Sequence, residues 1–571
     1  MHRPLTIQKD HTILLDVDHP LHADMRDLLA SFADLEQSLQ HLYVYRMTRL
    51  SLWNAAAAGH TASAITARLA LNARYGLPPE LARWIAETMA RFGRLVLRRE
   101  GEQMLLGSDD RALVAHLAAS PALEPFFEGL HDPHTLRVRP GYRGLLKQRL
   151  RTLGYPPSDL AGYLPGAPLA LALRGNTASG RPFAPRPYQQ TATQAFCREG
   201  AHGGSGVVVL PCGAGKTVVG LAVLARLRVQ TLILCPHTTA VHQWREELLD
   251  KTTLEPHQIG EYTGERKELA PVTLATYQIL THRPSTRAKD GTEAPFPHFG
   301  LFGERDWGLI VYDEVHLLPA PVFRLTAEIQ ARRRLGLTAT LVREDGKQGD
   351  VFSLIGPKVY EAPWRELEAE GWLAVVQCWE VRVPLAPGER LAYLGAETGH
   401  AQSRLAAENP AKVGVVRRLV AQHLGDRILV IGRYLRQLRT LAEALSTPLI
   451  TGQTAVAERE RLFAAFRRGE QPLLVVSNVA NFALDLPEAN VAIQVSGTYG
   501  SRQEEAQRLG RLLRPKPDGR PAHFYTLVSQ GTMDQDHAAK RQRFLVEQGY
   551  RYVIVTAEES GPDNGERIGG K

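Results

Sequence analysis

The sequence predicts an α/β protein with two parallel-sheet lobes in tandem behind a mainly α N-terminal region. At 571 residues the chain is too long for one hydrophobic core. From about residue 181, short apolar runs alternate with helical patterns, as in parallel sheets covered by helices. The alternation is interrupted at a connector, 363–372, and then resumes, which predicts the second lobe. The predicted strands are 207–210, 231–235, 272–276 and 309–312, then 428–431, 473–476, 491–495 and 524–528.

The N-terminal region has a different pattern. Two helical stretches, a turn at 76–79 and a third helix are followed by strand-like runs at 94–98 and 103–106. Apolar residues recur at helical spacing in the third helix: Leu81, Trp84, Ile85, Met89 and Phe92. Three helices and a hairpin predict a winged helix. That fold binds nucleic acid in some proteins and contacts protein in others, and both interpretations stay open.

Composition excludes several classes. A hydrophobic content of 44% and a charged content of 22% are ordinary for a folded globular protein. The net charge of +8 suits a polyanionic partner and also a plain basic surface. The cysteines lack the spacing of zinc sites and indicate a reducing compartment. No signal peptide or membrane-spanning run is evident, so we expect a cytoplasmic protein with no membrane partner.

A basic stripe follows the winged-helix pattern. Arg143, Lys147 and Arg151 are spaced at i, i+4 and i+8, so they share one face of a predicted helix. Such a face can follow a phosphate backbone, and it can equally be a solvated surface.

A phosphate-binding loop is predicted directly after the first strand of the first lobe. The loop is Pro211-Cys212-Gly213-Ala214-Gly215-Lys216-Thr217, and a helical pattern follows it. Glycines let backbone N–H groups surround phosphates, and the helix N-terminus adds its positive end. Lys216 is predicted to reach the β- and γ-phosphates of ATP, and the Thr217 hydroxyl to bind Mg²⁺. Leu210 replaces the first glycine of the longer form of this motif.

Two acidic residues end the strand at 309–312. We expect Asp313 to hold Mg²⁺ through water, and Glu314 to orient and deprotonate the attacking water. His316 suits a signalling role, although a single histidine is often a packing residue. The hydroxyls of Thr338 and Thr340, after another apolar run, suit hydrogen bonds to this acidic strand.

An arginine-containing helix is predicted in the second lobe. Gln507, Arg511 and Arg514 are spaced at i, i+4 and i+7 and therefore share one face. Two guanidinium groups suit the spread charge of a phosphoryl-transfer transition state. Because they belong to the second lobe, hydrolysis is expected to require lobe closure.

Together these motifs resemble superfamily 2 helicases, and specifically the XPB family in its bacterial form. The resemblance adds an Arg-Glu-Asp loop at Arg343, Glu344 and Asp345. It also assigns adenine recognition to Gln189, ring contact to Arg186, and a fifth helicase motif to the segment around Asp485. Gly213 and Ala214 join Gly215, Lys216 and Thr217 as nucleotide-binding residues. Asn478 stands where the family pattern has lysine, and the thumb-like insertion at 390–409 is short.

The resemblance implies two RecA-like motor lobes and ATP-dependent 3′→5′ movement on DNA. The implied domains are a winged-helix-like region (1–108), a small α/β damage-recognition-like domain (109–180), an ATP-binding lobe (181–365), a second lobe (366–555) and a flexible tail (556–571). The implied cofactors are ATP and Mg²⁺. The implied partners are single-stranded, duplex and fork-like DNA and a repair nuclease, in a nucleoid-associated cytoplasmic setting.

Other functions remain open at the level of sequence. A duplex translocase would open DNA locally without processive unwinding, and an RNA helicase would share the ATP site. A nucleotide-gated scaffold would bind DNA and recruit a nuclease, but it would not need the water-activating Glu314.

Overall fold

The computed structural model describes most of the chain. The described residues are 3–38, 41–162, 164–198, 204–282, 297–302, 304–319, 322, 332–339, 348–362, 364–477, 489–497, 509, 512 and 519–558. The chain divides into two compact units: 1–34 with 45–210 and 215–362, and 35–44 with 211–214 and 363–571. Among the helices of the described ranges, none has the length and apolar composition of a membrane span.

The N-terminal region begins with short strands and continues with helices. Its elements are β1 (Leu5–Ile7), β2 (Thr12–Asp16), α1 (His22–Ala30), β3 (Asp34–Ser38), β4 (Leu42–Arg46), α2 (Arg49–Ala57), α3 (Ala62–Asn72) and α4 (Pro79–Arg91). The strands form a sheet in the order β1-β2-β4-β3, which periodicity alone had not suggested. The predicted apolar face of α4 is present, since Leu81, Ile85 and Met89 are buried.

The predicted hairpin belongs to a larger sheet. The next elements are β5 (Val96–Glu100), β6 (Gln103–Gly107), α5 (Arg111–Ala118), β7 (Phe127–Asp132), β8 (Thr135–Val138), α6 (Arg143–Thr152) and β9 (Ser158–Asp159). Their strands pair in the order β7-β8-β6-β5-β9. A domain boundary at residue 108 is therefore wrong, because it separates β6 from β8, its hydrogen-bonded neighbour. The hairpin is the interior of a sheet and not a separate wing.

The basic stripe on α6 faces inward. The Arg143 and Lys147 side chains are only 5% and 10% exposed, and both bind Asp159, which is 9% exposed. Arg143 Nη2 lies 2.7 Å from one carboxylate oxygen, and Lys147 Nζ lies 2.9 Å from the other. Burial lowers the pKa of Lys147 to about 8, although Asp159 opposes the shift.

The prediction that these residues contact DNA phosphates is therefore wrong for Arg143 and Lys147, and so is the solvated-surface alternative. Helical spacing correctly placed the basic residues on one face. It could not reveal the carboxylate that neutralises that face from β9. Arg151 is less buried, and its Nη2 lies 3.2 Å from an oxygen of Asp350. That ion pair occupies the Arg151 side chain within the first compact unit.

The first lobe is built around a parallel sheet. Its elements are α7 (Pro187–Phe196), β10 (Ser205–Val209), α8 (Lys216–Leu227), β11 (Thr231–Cys235), α9 (Thr238–Lys251), β12 (Ile259–Tyr262), β13 (Val272–Thr276), α10 (Tyr277–Thr281), β14 (Leu309–Asp313), β15 (Arg333–Thr338), α11 (Gln348–Leu354) and β16 (Lys358–Glu361). The strand order is β12-β13-β11-β14-β15-β10-β16, with parallel pairing throughout.

The second lobe repeats this construction. Its elements are α12 (Trp364–Ala369), β17 (Val376–Val383), α13 (Pro387–Leu394), α14 (Gly399–Ala407), α15 (Ala411–Gln422), β18 (Ile428–Gly432), α16 (Leu435–Ala444), β19 (Leu449–Ile450), α17 (Val456–Arg468), β20 (Leu473–Ser477), β21 (Val491–Gln494), β22 (Ala522–Ser529), α18 (Met533–Glu547) and β23 (Tyr552–Thr556). The parallel strands follow the order β19-β20-β18-β21-β22-β17-β23.

The two sheets confirm the predicted fold class. Their central strands are buried on both faces, which explains why they read as continuous apolar runs in the sequence. The predicted short insertion at 390–409 falls on the two short helices α13 and α14. Asn478 and residues 559–571 of the predicted tail lie outside the described residues.

Removal of Asp159 should destabilise the N-terminal part of the first unit. Asp159→Ala leaves two buried cations without their carboxylate, and we expect a loss of about 3–5 kcal/mol in the free energy of unfolding. Urea denaturation followed by fluorescence measures it. The matched control is Glu102→Ala, because Glu102 is 98% exposed and pairs with Arg99 at the surface. That variant should lose less than about 1 kcal/mol. Equal stability of the two variants would contradict a stabilising role for the buried cluster.

Candidate functional site: a phosphate loop facing two buried acids

The loop between β10 and α8 depends on glycines. Gly213 and Gly215 have φ angles of 83° and 75°, a region that side chains other than glycine rarely adopt. A Cβ added to Gly215 would lie 2.6 Å from Gln189 Nε2, so the position is also sterically closed. Because α8 begins at Lys216, its first backbone N–H groups have no acceptor within the helix. This geometry suits an anion such as phosphate.

Two acidic residues end β14 beside this loop. The Asp313 carboxylate accepts hydrogen bonds from the backbone N–H of Glu314 and from Trp244 Nε1, both at 3.0 Å. Glu314 has a φ of 46°, an uncommon left-handed conformation for a residue with a side chain. From adjacent positions in the chain the two carboxylates bind different side chains, Trp244 for Asp313 and Lys216 for Glu314.

An ion pair joins the loop to the acidic strand. Lys216 Nζ donates a hydrogen bond to Glu314 Oε1. Their side chains are only 12% and 17% exposed, so water screens the pair weakly. The predicted loop lysine and the predicted general base are thus in direct contact.

The two carboxyl groups have pKa values shifted in opposite directions. Burial, followed by repulsion from Glu314, raises the pKa of Asp313 to about 6. Burial is the largest influence on the pKa of Glu314 and acts to raise it, but the charges of Lys216 and His316 and the hydrogen bond from Lys216 together hold that pKa below its usual range. Glu314 is therefore the group that stays ionised in a site where two adjacent buried carboxylates repel each other.

A hydrogen-bonded link connects this site to β15. Thr338 Oγ1 and His316 Nδ1 are 2.6 Å apart, and both side chains are buried. The backbone carbonyl of Thr338 accepts from Leu210 N, which leads into the phosphate loop. The expected contact between the Thr338 hydroxyl and the acidic segment is present, and the residue that the hydroxyl contacts there is His316.

The residues predicted to contact the nucleobase lie at the start of α7. Gln189 is buried, and its Oε1 accepts from the backbone N–H of Arg186 at 2.8 Å. Arg186 Nη1 donates to the Tyr188 hydroxyl at 3.2 Å. Gln189 Nε2 lies against Gly215, as the added-Cβ distance shows. These contacts bring Gln189 next to the phosphate loop, which the sequence spacing of 26 residues did not reveal.

The oxygen atoms at the site suit a Mg²⁺ ion that is held partly by water and phosphate, and not a metal ion held by protein ligands alone. Among the described residues, no cluster of three or more His, Cys, Asp or Glu side chains is arranged to hold a metal ion. Mg²⁺ prefers oxygen and commonly keeps several waters, with one or two carboxylates and the substrate phosphates as further ligands. Asp313 and the Thr217 hydroxyl at the start of α8 fit that mode.

Several predicted site residues lie outside the described residues. They are Thr340, Arg343, Glu344, Asp345, Asp485, Gln507, Arg511 and Arg514. Leu509, which lies between Gln507 and Arg511, and Leu512, which lies between Arg511 and Arg514, are buried.

Two aromatic residues at the site were not predicted. Trp244 donates to the Asp313 carboxylate, and the Tyr277 hydroxyl donates to the Asp313 backbone carbonyl at 2.9 Å. In sequence each reads as an ordinary core aromatic residue beside a strand. Only the sheet order, in which β11 lies between β13 and β14, brings the segments that follow β11 and β13 to the acidic pair.

Comparison with known proteins identifies close relatives. The relative named DNA 3′-5′ helicase XPB from Kineococcus radiotolerans is 54% identical, covering 97% of each chain. The protein of the same name from Mycobacterium tuberculosis is 50% identical, covering 97% of this chain and 98% of its own. A general transcription and DNA repair factor IIH helicase/translocase subunit XPB from Antonospora locustae is 33% identical, covering 99% and 83%.

Family models match three parts of the chain. The ERCC3/RAD25/XPB C-terminal helicase model matches residues 367–568. The model of the type III restriction enzyme res subunit matches 182–343, which contains the phosphate loop and the acidic pair. A helicase conserved C-terminal domain model matches 5–128, which includes β1 through α5.

Substitution of Gly215 should distort the conformation of the phosphate loop. Gly215→Ala must adopt a strained φ and displace Gln189, so we expect nucleotide affinity to fall at least about tenfold. Fluorescent ATP titration measures this affinity. Gly264→Ala is the matched control, because that glycine has open space around its Cβ position and no positive φ. Parent-like affinity in Gly215→Ala would contradict the assignment of the loop.

Proposed function

The chain belongs to the XPB family of superfamily 2 helicases, and from this premise we propose that it is an ATP-dependent 3′→5′ DNA helicase. The observation that carries the proposal is the contact between Lys216 and Glu314. It brings together a phosphate-binding loop and a buried, ionised carboxylate, which are the parts that nucleotide hydrolysis needs.

Lys216 and Glu314 act in sequence. Without nucleotide, Lys216 neutralises Glu314 and keeps it ionised. When ATP binds, Lys216 moves to the β- and γ-phosphates, as loop lysines do. Glu314 then loses its positive partner while remaining buried, which makes its carboxylate a stronger base. It orients a water molecule and takes its proton as that water attacks the γ-phosphorus, while the bond to the β–γ bridging oxygen breaks and ADP leaves.

The remaining nucleotide-binding residues orient the substrate. Asp313 and Thr217 would hold Mg²⁺, whose charge would offset that of the phosphates. Gln189 and Arg186 bind the nucleobase. Gly213, Ala214 and Gly215 supply backbone N–H groups for the phosphates. Asp485 and Gln507 complete nucleotide contacts, and Arg511 and Arg514 stabilise the transition state. These last four roles rest on sequence motifs.

Coupling to DNA passes through β15. Thr338 contacts His316, and its backbone contacts the residue before the phosphate loop. The chain continues from Thr338 through Thr340 to Arg343, Glu344 and Asp345, which we assign to DNA contact. A change at Glu314 or His316 is thereby transmitted over a few residues to the DNA-contacting loop.

The biological setting follows from the family. We propose that the substrates are single-stranded, duplex and fork-like DNA, that the process is DNA repair, and that a nuclease is a partner. The proposed location is the cytoplasm, in association with the nucleoid. The name of the Antonospora locustae relative, which includes DNA repair, supports the proposed process.

Glu314→Gln should separate binding from hydrolysis. The amide cannot take a proton, so DNA-stimulated turnover should fall by about 10²–10⁴-fold. Nucleotide affinity should be retained or increase, because Lys216 no longer pairs with a carboxylate. Steady-state phosphate release and fluorescent ATP titration measure the two quantities. The control is Glu265→Gln, an exposed position in the same lobe. Parent-like turnover in Glu314→Gln would refute its role as general base.

The direction of movement is tested by strand displacement. We expect ATP-dependent unwinding of a duplex with a 3′ single-stranded tail, little unwinding with a 5′ tail, and stimulation of the ATPase by DNA over RNA. Glu314→Gln is the negative control for both assays. Preference for the 5′ tail or for RNA would overturn the proposal. ATP-driven triplex displacement without unwinding would instead identify a duplex translocase.

A further inference from the structure

Trp244 packs against α8, the helix that follows the phosphate loop, at a position where that helix has a glycine. It lies on α9, is 1% exposed, and its ring packs over Gly220 of α8. A Cβ on Gly220 would lie 2.4 Å from Trp244 Cη2, so even alanine there would displace the indole. The ring position is therefore fixed by close packing against the helix that follows the phosphate loop.

The indole N–H points at the acidic pair. Trp244 Nε1 donates to Asp313 Oδ2 at 3.0 Å, while the backbone N–H of Glu314 donates to Asp313 Oδ1, also at 3.0 Å. Each carboxylate oxygen thus accepts one bond from a different rigid donor. Two such bonds fix the rotation of the carboxylate about its Cβ–Cγ bond. Each oxygen still has a free lone pair, and the two donors set the direction in which that lone pair points.

A third contact holds the backbone of the same residue. The Tyr277 hydroxyl donates to the Asp313 backbone carbonyl at 2.9 Å, whereas Trp244 and the Glu314 backbone donate to the carboxylate. Tyr277 therefore supports the strand end, whereas Trp244 orients the carboxylate itself. This difference between two buried aromatic donors on one residue allows the two roles to be tested separately.

We propose that Trp244 is a positioning residue, whose N–H orients the Asp313 carboxylate towards the hydrated divalent cation of the bound nucleotide. This inference rests on the proposed function, in which Asp313 is the metal-binding carboxylate. Donors that orient a metal-binding side chain typically contribute about 10- to 100-fold in metal affinity. The indole N–H bonds to Asp313, whereas the loop lysine pairs with Glu314, so loss of the N–H should act specifically on the cation.

The test is Trp244→Phe, which keeps an aromatic ring and removes the N–H. We expect the Mg²⁺ concentration for half-maximal ATP hydrolysis to rise about tenfold or more. Turnover at saturating Mg²⁺ should stay within about threefold of the parent, since Glu314 is intact. Mn²⁺ binding to the protein with ADP, followed by electron paramagnetic resonance, should weaken by the same factor independently of activity.

Two controls separate positioning from packing. Trp307→Phe removes an equally buried indole N–H in the same lobe, which donates to the Leu301 carbonyl at 3.0 Å. Tyr277→Phe removes the hydroxyl that binds the Asp313 backbone. Neither should change Mn²⁺ affinity. If Trp244→Phe does not fold, Gly220→Ala displaces the indole instead and should weaken Mn²⁺ binding.

The outcomes distinguish this inference from the proposed function. A parent protein without Mg²⁺-dependent ATP hydrolysis would refute the function. An active parent with unchanged Mn²⁺ affinity in Trp244→Phe, or with equal loss in Trp307→Phe, would refute the role of Trp244 alone.

Discussion

The ion pair between Lys216 and Glu314 is the interaction on which the organisation of the site depends. It joins the loop after β10 to the end of β14, two strands that are separated in the sheet by β15. Burying either charge alone would be costly, whereas the pair compensates much of that cost. The same contact keeps Glu314 ionised before nucleotide arrives. A structural requirement, the pairing of buried charges, therefore prepares the residue that later activates water.

The surrounding contacts give the two adjacent carboxylates different roles. Glu314 has a lysine partner and a pKa below its usual range, whereas burial and its neighbour raise the pKa of Asp313 to about 6. Asp313 instead receives two neutral N–H donors, from Trp244 and from the Glu314 backbone. One carboxylate is thus suited to proton transfer and the other to a cation, whose positive charge would favour its ionised form.

Much of this architecture could be predicted from sequence, for physical reasons. Strands buried on both faces read as apolar runs, so the central strands of both sheets were predicted closely. The phosphate loop and the acidic pair were predicted because their chemistry lies in consecutive residues. The link from Thr338 to His316 was partly predicted, since the acidic segment was named as the partner but not the histidine.

The sequence-based predictions that were wrong or incomplete have a different cause. Arg143 and Lys147 were expected at the surface because no sequence signal pairs them with Asp159, which approaches from another element. The boundary at residue 108 failed because a hairpin pattern does not show which strand adds to its edge. Trp244 was missed because its partner is reached only through the strand order. In each case the decisive contact joins residues that are distant in sequence.

A double-mutant cycle on Lys216→Met and Glu314→Gln in the nucleotide-free protein tests the central claim most directly. The measured quantity is the free energy of unfolding of the first lobe. If the ion pair organises the site, the two single substitutions should together lose more free energy of unfolding than the double variant loses. The difference, which is the coupling energy, should be at least about 1 kcal/mol. Additive effects within about 0.5 kcal/mol would show that the two residues do not stabilise each other, and would contradict the account.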